Sequence, residues 1–365
     1  MFVPSAKSKL SLLMLMLVAI ILFVWVENSR IFVSDQYFEE KLAAANLMQK
    51  AESIIKHNRL ENNIFIDELN DPNKTALIGE KQSLIVTDRG NLDSKLTSLN
   101  PNFAAAFVQI FKEANLKKND RIAVNCTGSL PAMNIAVLSA AEILELDVVL
   151  ISSVGASMFG ATDPNFTWLD MEKLLNENGV LSYRSKAASI GGGRDLGRGL
   201  NILGRELLVK NIQKNEVELV QEGSLEQNIS KKMELFEQNG EIDLYVNVGG
   251  GLSSLGISIN GQLIKTGFHR YLTLTNTPLK GTMLLFADKG VPIVHILDIA
   301  KFAENLQFPI APVPLPKPGK GSMFETEKYN VTIATIAFTA LVLLILVVIF
   351  FDHKELKLKE EEITL

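Results

Sequence analysis

Two apolar runs without a single charge, residues 10–26 and 331–351, frame the chain. Between them the pattern changes to short segments whose apolar positions recur with the periods of helices and strands. A helix rising 1.5 Å per residue needs ~17 to 25 apolar residues to cross a hydrocarbon core of roughly 30 Å, so both runs predict transmembrane helices, the first at the short limit. Lys7 and Lys9 before the first run also suit a secretory signal peptide. The run gives way, however, to Glu27-Asn-Ser-Arg30 and not to a small-x-small cleavage site, which favours an uncleaved signal anchor. The second run leads into a charged tail, 352–365. Lys354, Lys357 and Lys359 lie closer to their crossing than Lys317, Lys320 and Lys328 lie on the other side, and a basic N-terminal flank normally stays inside. The termini are therefore expected in the cytoplasm and the large intervening domain outside.

Residues 35–60 carry Tyr37, Phe38, Leu42, Ala45, Met48, Ala51, Ile54 and Ile55 at three- and four-residue spacings, an amphipathic helix next to the membrane. Its polar face mixes acids with bases, so the apolar stripe is expected to pack on the domain and not on lipid. From Ser83 onward strands and helices alternate. Ser83–Thr87 reads as a strand, Asn100-Pro101 opens a helix through Phe103, Phe107 and Phe111, and Arg121–Asn125 is a buried strand. A tight turn, Cys126–Leu130, then precedes a helix opened by Pro131, and Asp147–Ser152 is the next strand. That is a βαβ unit. Thr167 with Asp170 and Ser224 with Gln227 are capping boxes for two further helices. Residues 242–248, 282–287 and 291–297 are expected strands. The fold class is α/β: a mostly parallel Rossmann-like sheet domain, 61–308, flanked by two transmembrane helices, with 309–321 as a stiff proline-rich linker.

Composition changes this picture little. The 365 residues carry a net charge of −5, which with no long basic patch argues against a nucleic-acid partner, and the lone Cys126 excludes an intramolecular disulfide.

Three loops concentrate the candidate chemistry. Thr127-Gly128-Ser129 and Gly249-Gly250-Gly251, the latter continuing into Leu252-Ser253-Ser254, both come after expected strands, where small residues let backbone amides approach a ligand. Gly191-Gly192-Gly193-Arg194 couples permissive backbone to Arg194 and Arg198, guanidinium groups suited to a carboxylate or phosphate. Taken singly, each glycine cluster is as well explained by a turn; together they favour an anion site. None matches GxGxxG or GxxxxGK[ST], and no His or HExxH spacing suggests a metal, so neither a cofactor nor a metal is expected. Ser129 or Cys126 could act as a nucleophile, but the Ser129 context is not GxSxG, and no catalytic residue is assigned.

Four stretches, Thr97–Phe107, Gly128–Glu142, Ile151–Glu172 and Ser189–Leu200, together resemble the bacterial poly-gamma-glutamate system protein family. The combination of Ser153-Val-Gly-Ala-Ser157 with Phe166-Thr-Trp-Leu-Asp-Met-Glu172 is the most specific part. The resemblance implies a membrane protein that accompanies the synthase and export components of a capsule-like polyglutamate in the cell envelope; it brings no catalytic residue. The expectation is an accessory component with an anion-binding domain that meets the lipid bilayer, the synthase and an anionic polymer or small anion. A polymer-acting hydrolase or transferase, a sugar-phosphate-binding domain and a non-catalytic scaffold are the alternatives.

Overall fold

The computed structural model describes residues 8–64 and 66–363, with side chains as far as Lys354. Lys7 and the side chains of Lys357 and Lys359, which bear on sidedness, lie outside the described residues. The elements begin with α1 (Lys9–Glu27), β1 (Ile31–Ser34), α2 (Phe38–Glu61), β2 (Val86–Asp88), α3 (Leu92–Ser98), α4 (Asn102–Glu113), β3 (Arg121–Thr127) and α5 (Pro131–Ile143). Next come β4 (Asp147–Ser153), β5 (Ala156–Ser157), α6 (Trp168–Glu177), β6 (Ala187–Ser189), α7 (Ile202–Lys214), β7 (Glu218–Leu219) and α8 (Leu225–Glu237). The last are β8 (Leu244–Val248), α9 (Leu252–Leu255), α10 (Ser258–Leu263), β9 (Gly267–His269), α11 (Thr282–Asp288), β10 (Ile293–Ile296), α12 (Ile299–Asn305), β11 (Glu325–Lys328) and α13 (Val331–Ile363).

The chain divides into two compact units: one made of the residues up to Asp35 and from Glu325 on, the other of Gln36–Phe324. In the first, Lys9–Glu27 and Val331–Lys354 are helical segments long and apolar enough to span a membrane. α13 continues as helix through the charged tail to Ile363, beyond the 351 limit that the apolar run suggests. β1 and β11 form an antiparallel ribbon, Ile31 opposite Lys328 and Ser34 opposite Glu325. Beside it the Tyr329 hydroxyl donates to Glu27 Oε1 at 2.9 Å, and the Arg30 guanidinium stacks over the Tyr329 ring.

The second unit is built on a seven-stranded sheet in the order β7-β6-β4-β3-β8-β10-β9, parallel except for the β9–β10 edge pair. Alternate residues of a strand point to opposite faces, and both faces here are covered. Ile122, Val124 and Cys126 of β3 and Leu244, Val246 and Val248 of β8 join one apolar cluster with the helices α2, α4 and α5; Ala123 and Tyr245 join the other, with Phe236 of α8 and Phe286 of α11. Burial on both sides explains why these strands read as continuous apolar runs. α2 buries Ala44, Ala45, Met48, Ala51 and Ile55 within the domain, the packing expected of its stripe. Thr167 and Asp170 form the capping box of α6, and Pro131 occupies the first turn of α5.

Two sequence readings are corrected. Residues 282–287 are not a strand: they form α11, capped at Gly281, which buries Met283, Leu284 and Phe286 while Thr282 Oγ1 and the Tyr245 hydroxyl share a 2.6 Å hydrogen bond. A six-residue apolar run has no period long enough to separate the two states. The proline-rich segment 309–321, expected as a stiff linker outside the domain, is packed on it instead. Asn73 Nδ2 donates to the Pro312 carbonyl at 2.8 Å, Asn102 Nδ2 to those of Lys317 and Lys320 at 3.2 Å, and the Ala311 amide to Thr97 Oγ1 at 2.8 Å, so the domain extends to Phe324.

Candidate functional site

From β3 the chain moves outward on one side of the sheet through β4 and β6 to β7, then returns to begin the other side at β8. The β3/β8 junction is thus the point where the winding reverses. Loops leaving neighbouring strands there run in opposite directions and leave a crevice beyond their carboxyl ends, where open α/β sheets bind ligands. A cavity of about 540 Å³ opens at this position.

Most of the sequence candidates meet in its wall. Thr127 at the end of β3 and Ser129 after it, Gly191, Gly192, Gly193 and Arg198 after β6, and Gly249, Gly250 and Gly251 after β8 all line it. Gly249 has φ +97°, and a Cβ there would stand 2.2 Å from Thr127 Oγ1, so glycine lets the β3 and β8 loops touch across the junction. The buried Thr127 Oγ1 itself has no hydrogen-bond partner among the described residues.

Four candidates do not reach the cavity wall. Gly128 is packed against the Val154 carbonyl, where a Cβ would come within 2.3 Å. Arg194 is exposed, at φ +59° on the outer turn of its loop. Ser253 and Ser254 are buried beneath the crevice: Ser253 Oγ accepts from Lys232 Nζ at 2.7 Å, and Ser254 Oγ shares a 2.9 Å hydrogen bond with the Tyr245 hydroxyl. Cys126 is also buried, and burial raises its thiol well above the usual range, with the Glu172 charge adding to the effect. It is no nucleophile in this setting. The Ser129 hydroxyl is a positioning group: it accepts the Ser157 amide at 3.0 Å.

Beneath the cavity, behind Ser153 of its wall, lies a buried ionic network. Lys232 of α8 and Asp195 of the glycine loop, both fully buried, pair at 2.9 Å. Lys232 Nζ also donates to Ser189 Oγ at 2.8 Å, and Asp195 Oδ1 accepts from Ser189 Oγ at 2.7 Å and Ser153 Oγ at 3.2 Å. One lysine thereby ties together the ends of β4 and β6 and the loops after β6 and β8. A charge removed from water to this extent is tolerated only when its donors are all used. In the neighbouring row of the sheet, Asn125, Asn247 and His295 stand in register on β3, β8 and β10. Asn125 Nδ2 donates to Asn247 Oδ1 at 3.2 Å, and Asn247 Nδ2 lies 3.0 Å from His295 Nδ1. An amide nitrogen only donates, so Nδ1 accepts and the ring proton sits on Nε2. Burial holds the imidazole down to about 4.

The opposite wall escaped the sequence reading. It is built by Asp88 at the end of β2 and Arg89–Asn91 after it, by Ser94 and Lys95 of α3, and by Ser157 at the end of β5. β2 pairs in parallel with β5, which brings Asp88 beside Ser157. Asn91 caps α3, its side chain accepting the Ser94 amide at 2.8 Å, and the helix turns Lys95 inward to 5 % exposure. Lys95 Nζ donates to the Ser129 carbonyl and, at 2.9 Å, to Ser157 Oγ. With so little water around it the ammonium falls to about 7. Arg89-Gly90-Asn91 after an expected strand has the same small-residue, helix-opening character as the other loops and was the available signal. The basic side chains of the wall are Arg89, Lys95 and Arg198, against one carboxylate, Asp88, among the described residues. Comparison with known proteins returned no match, whether to a family model, a curated protein or a solved structure.

Proposed function

We propose that this is a membrane-anchored accessory protein whose α/β domain binds an anion in the crevice at the β3/β8 junction. The observation that carries the reading is the convergence of three glycine-rich loops with Arg89, Lys95 and Arg198 on one cavity whose wall holds one acid, Asp88. The buried, unpartnered Thr127 hydroxyl adds a group awaiting an acceptor or donor. The class of anion comes from the sequence resemblance: a carboxylate-bearing glutamate chain, met as poly-gamma-glutamate beside its synthase and export components. In this reading the two apolar helices cross the bilayer, the termini are cytoplasmic and the Rossmann-like domain works outside, on a polymer leaving the cell and not on nucleic acid.

The test is a titration of the full chain in detergent micelles with γ-linked oligo-glutamate, and separately with inorganic phosphate. Saturable binding that weakens with added salt is expected, because exposed charges in the wall are screened. The double variant Arg89→Ala with Arg198→Ala should lose about tenfold or more in affinity, in keeping with two charge-assisted contacts. A folded double variant that binds as well as the parent would overturn the anion reading and leave the glycines as turns.

A further inference from the structure

We propose that Ser157 and Lys95 are a nucleophile and its general base, and that the crevice carries out acyl transfer at an amide carbonyl of an anionic substrate. The substrate class rests on the anion-binding reading; the pair itself rests on geometry. Ser157 lies in the cavity wall and its Oγ is 2.9 Å from Lys95 Nζ, inside the reach required of a base. Its backbone is held on both sides: the amide donates to Ser129 Oγ at 3.0 Å, and the carbonyl accepts the Gly160 amide at 3.0 Å. Lys95 is held as well, because Nζ also donates to the Ser129 carbonyl. A neutral amine has two N–H bonds and a lone pair. With one N–H on the Ser129 carbonyl, the lone pair is free to accept the Ser157 hydroxyl proton.

The neutral form is accessible near neutrality, since burial has taken this lysine down to about 7. The charged groups around the cavity are Asp88 at the end of β2, Arg89 after it and Arg198 after β6; the β3 turn, β5 and the start of α12 contribute Ser129, Ser157 and Ile299, none of which titrates in this range. Arg89 and Arg198, which line the same cavity, are assigned to the substrate's carboxylates while its carbonyl meets Ser157.

The step balances without a further reagent except water. The Ser157 Oγ–carbon bond forms as the hydroxyl proton passes to Lys95 Nζ and the carbonyl π pair moves to oxygen. Collapse breaks the carbon–nitrogen bond, and the leaving amine takes the proton from Nζ, which leaves an acyl-serine and neutral Lys95. Water then adds to the ester carbonyl, giving a proton to Nζ. Collapse releases the carboxylic acid, and Ser157 Oγ takes that proton back. An incoming amine in place of water makes the same intermediate a transferase product.

The experiment treats the full chain in detergent with a fluorophosphonate, which phosphonylates activated serines, and maps the adduct by mass spectrometry. Modification at Ser157 is expected, with a rate that rises about tenfold per pH unit below pH 7 and levels off above it, as required of a base with that titration. Lys95→Met should slow it by ~100-fold or more at pH 8. Wild-type chain unlabelled at Ser157, or labelled at a rate with no inflection near pH 7, overturns the proposal without reference to any variant. So does a folded Lys95→Met chain labelled as fast as the parent. Oligo-glutamate titration of Ser157→Ala keeps the two readings apart. Binding in a chain whose wild type is never labelled overturns acyl transfer alone, whereas pH-dependent labelling in a chain that binds no oligo-glutamate overturns the anion reading and with it the substrate class.

Discussion

Replacing His295 with Asn removes one titrating group from the middle of the sheet while keeping an acceptor, Oδ1 in place of Nδ1, for the Asn247 amide 3.0 Å away. His295 is fully buried, and its folded-state titration lies at about 4, against 6.5 for a solvated imidazole, chiefly because burial penalises the charged ring. As pH falls from 6.5 the unfolded chain takes up a proton that the folded chain refuses until pH 4. Stability is therefore full above 6.5 and lost progressively down to 4, below which the loss is complete. At 1.36 kcal/mol per pH unit this amounts to about 3 kcal/mol. The assay is urea unfolding of the full chain in detergent at a series of pH values, monitored by the fluorescence of Trp168, which is buried in the domain with its indole N–H on Ser152 Oγ. Asn is smaller and should lower stability by an amount that does not vary with pH. The slope is the readout: between pH 6.5 and 4 the parent should lose about 3 kcal/mol more than His295→Asn. Parallel pH profiles for the two chains would show that His295 is not held neutral and refute the argument.

The other buried groups give two more expected outcomes. Lys232→Met should destabilise the domain by about 3 to 5 kcal/mol by stranding the Asp195 carboxylate, and adding Asp195→Asn should recover most of it, read from urea midpoints; a second change that recovers nothing would mean that the pair is not the source of the loss. Cys126 should resist maleimide in the folded chain and react within minutes in urea, as its burial requires; fast reaction without denaturant would refute its burial on β3.

The central strands and the loops after β3 and β8 were legible because buried parallel strands are apolar throughout and small residues stand at their carboxyl ends; the loop after β6 was marked by its glycines alone, since Ala187–Ser189 is too short to read as a strand. α11 was not, since Thr282–Ala287 is too short for its period to speak. The wall opposite was hidden for another reason. Lys95 and Ser157 lie far apart along the chain and meet only because β2 pairs with β5 and α3 turns a lysine inward, neither of which leaves a periodic mark. Arg194 was misread in the opposite sense: its side chain is suited to an anion, but the tight turn that Gly191 and Gly192 permit aims it outward, while Asp195 beside it is drawn in by Lys232.

The antiparallel ribbon of β1 and β11 makes the α/β unit a closed loop of chain rather than a segment with free ends. While that ribbon and the packing of α1 on α13 persist, unfolding of the domain releases a ring whose two ends remain adjacent, and a ring has fewer conformations than an open chain. Loop-closure entropy for a chain of this length is on the order of 5 kcal/mol, and all of it disfavours the unfolded state. Acting through the denatured ensemble, as a crosslink does, the ribbon makes the anchored domain harder to unfold than the same fold cut free at either end, and a single backbone nick anywhere inside the loop forfeits that protection.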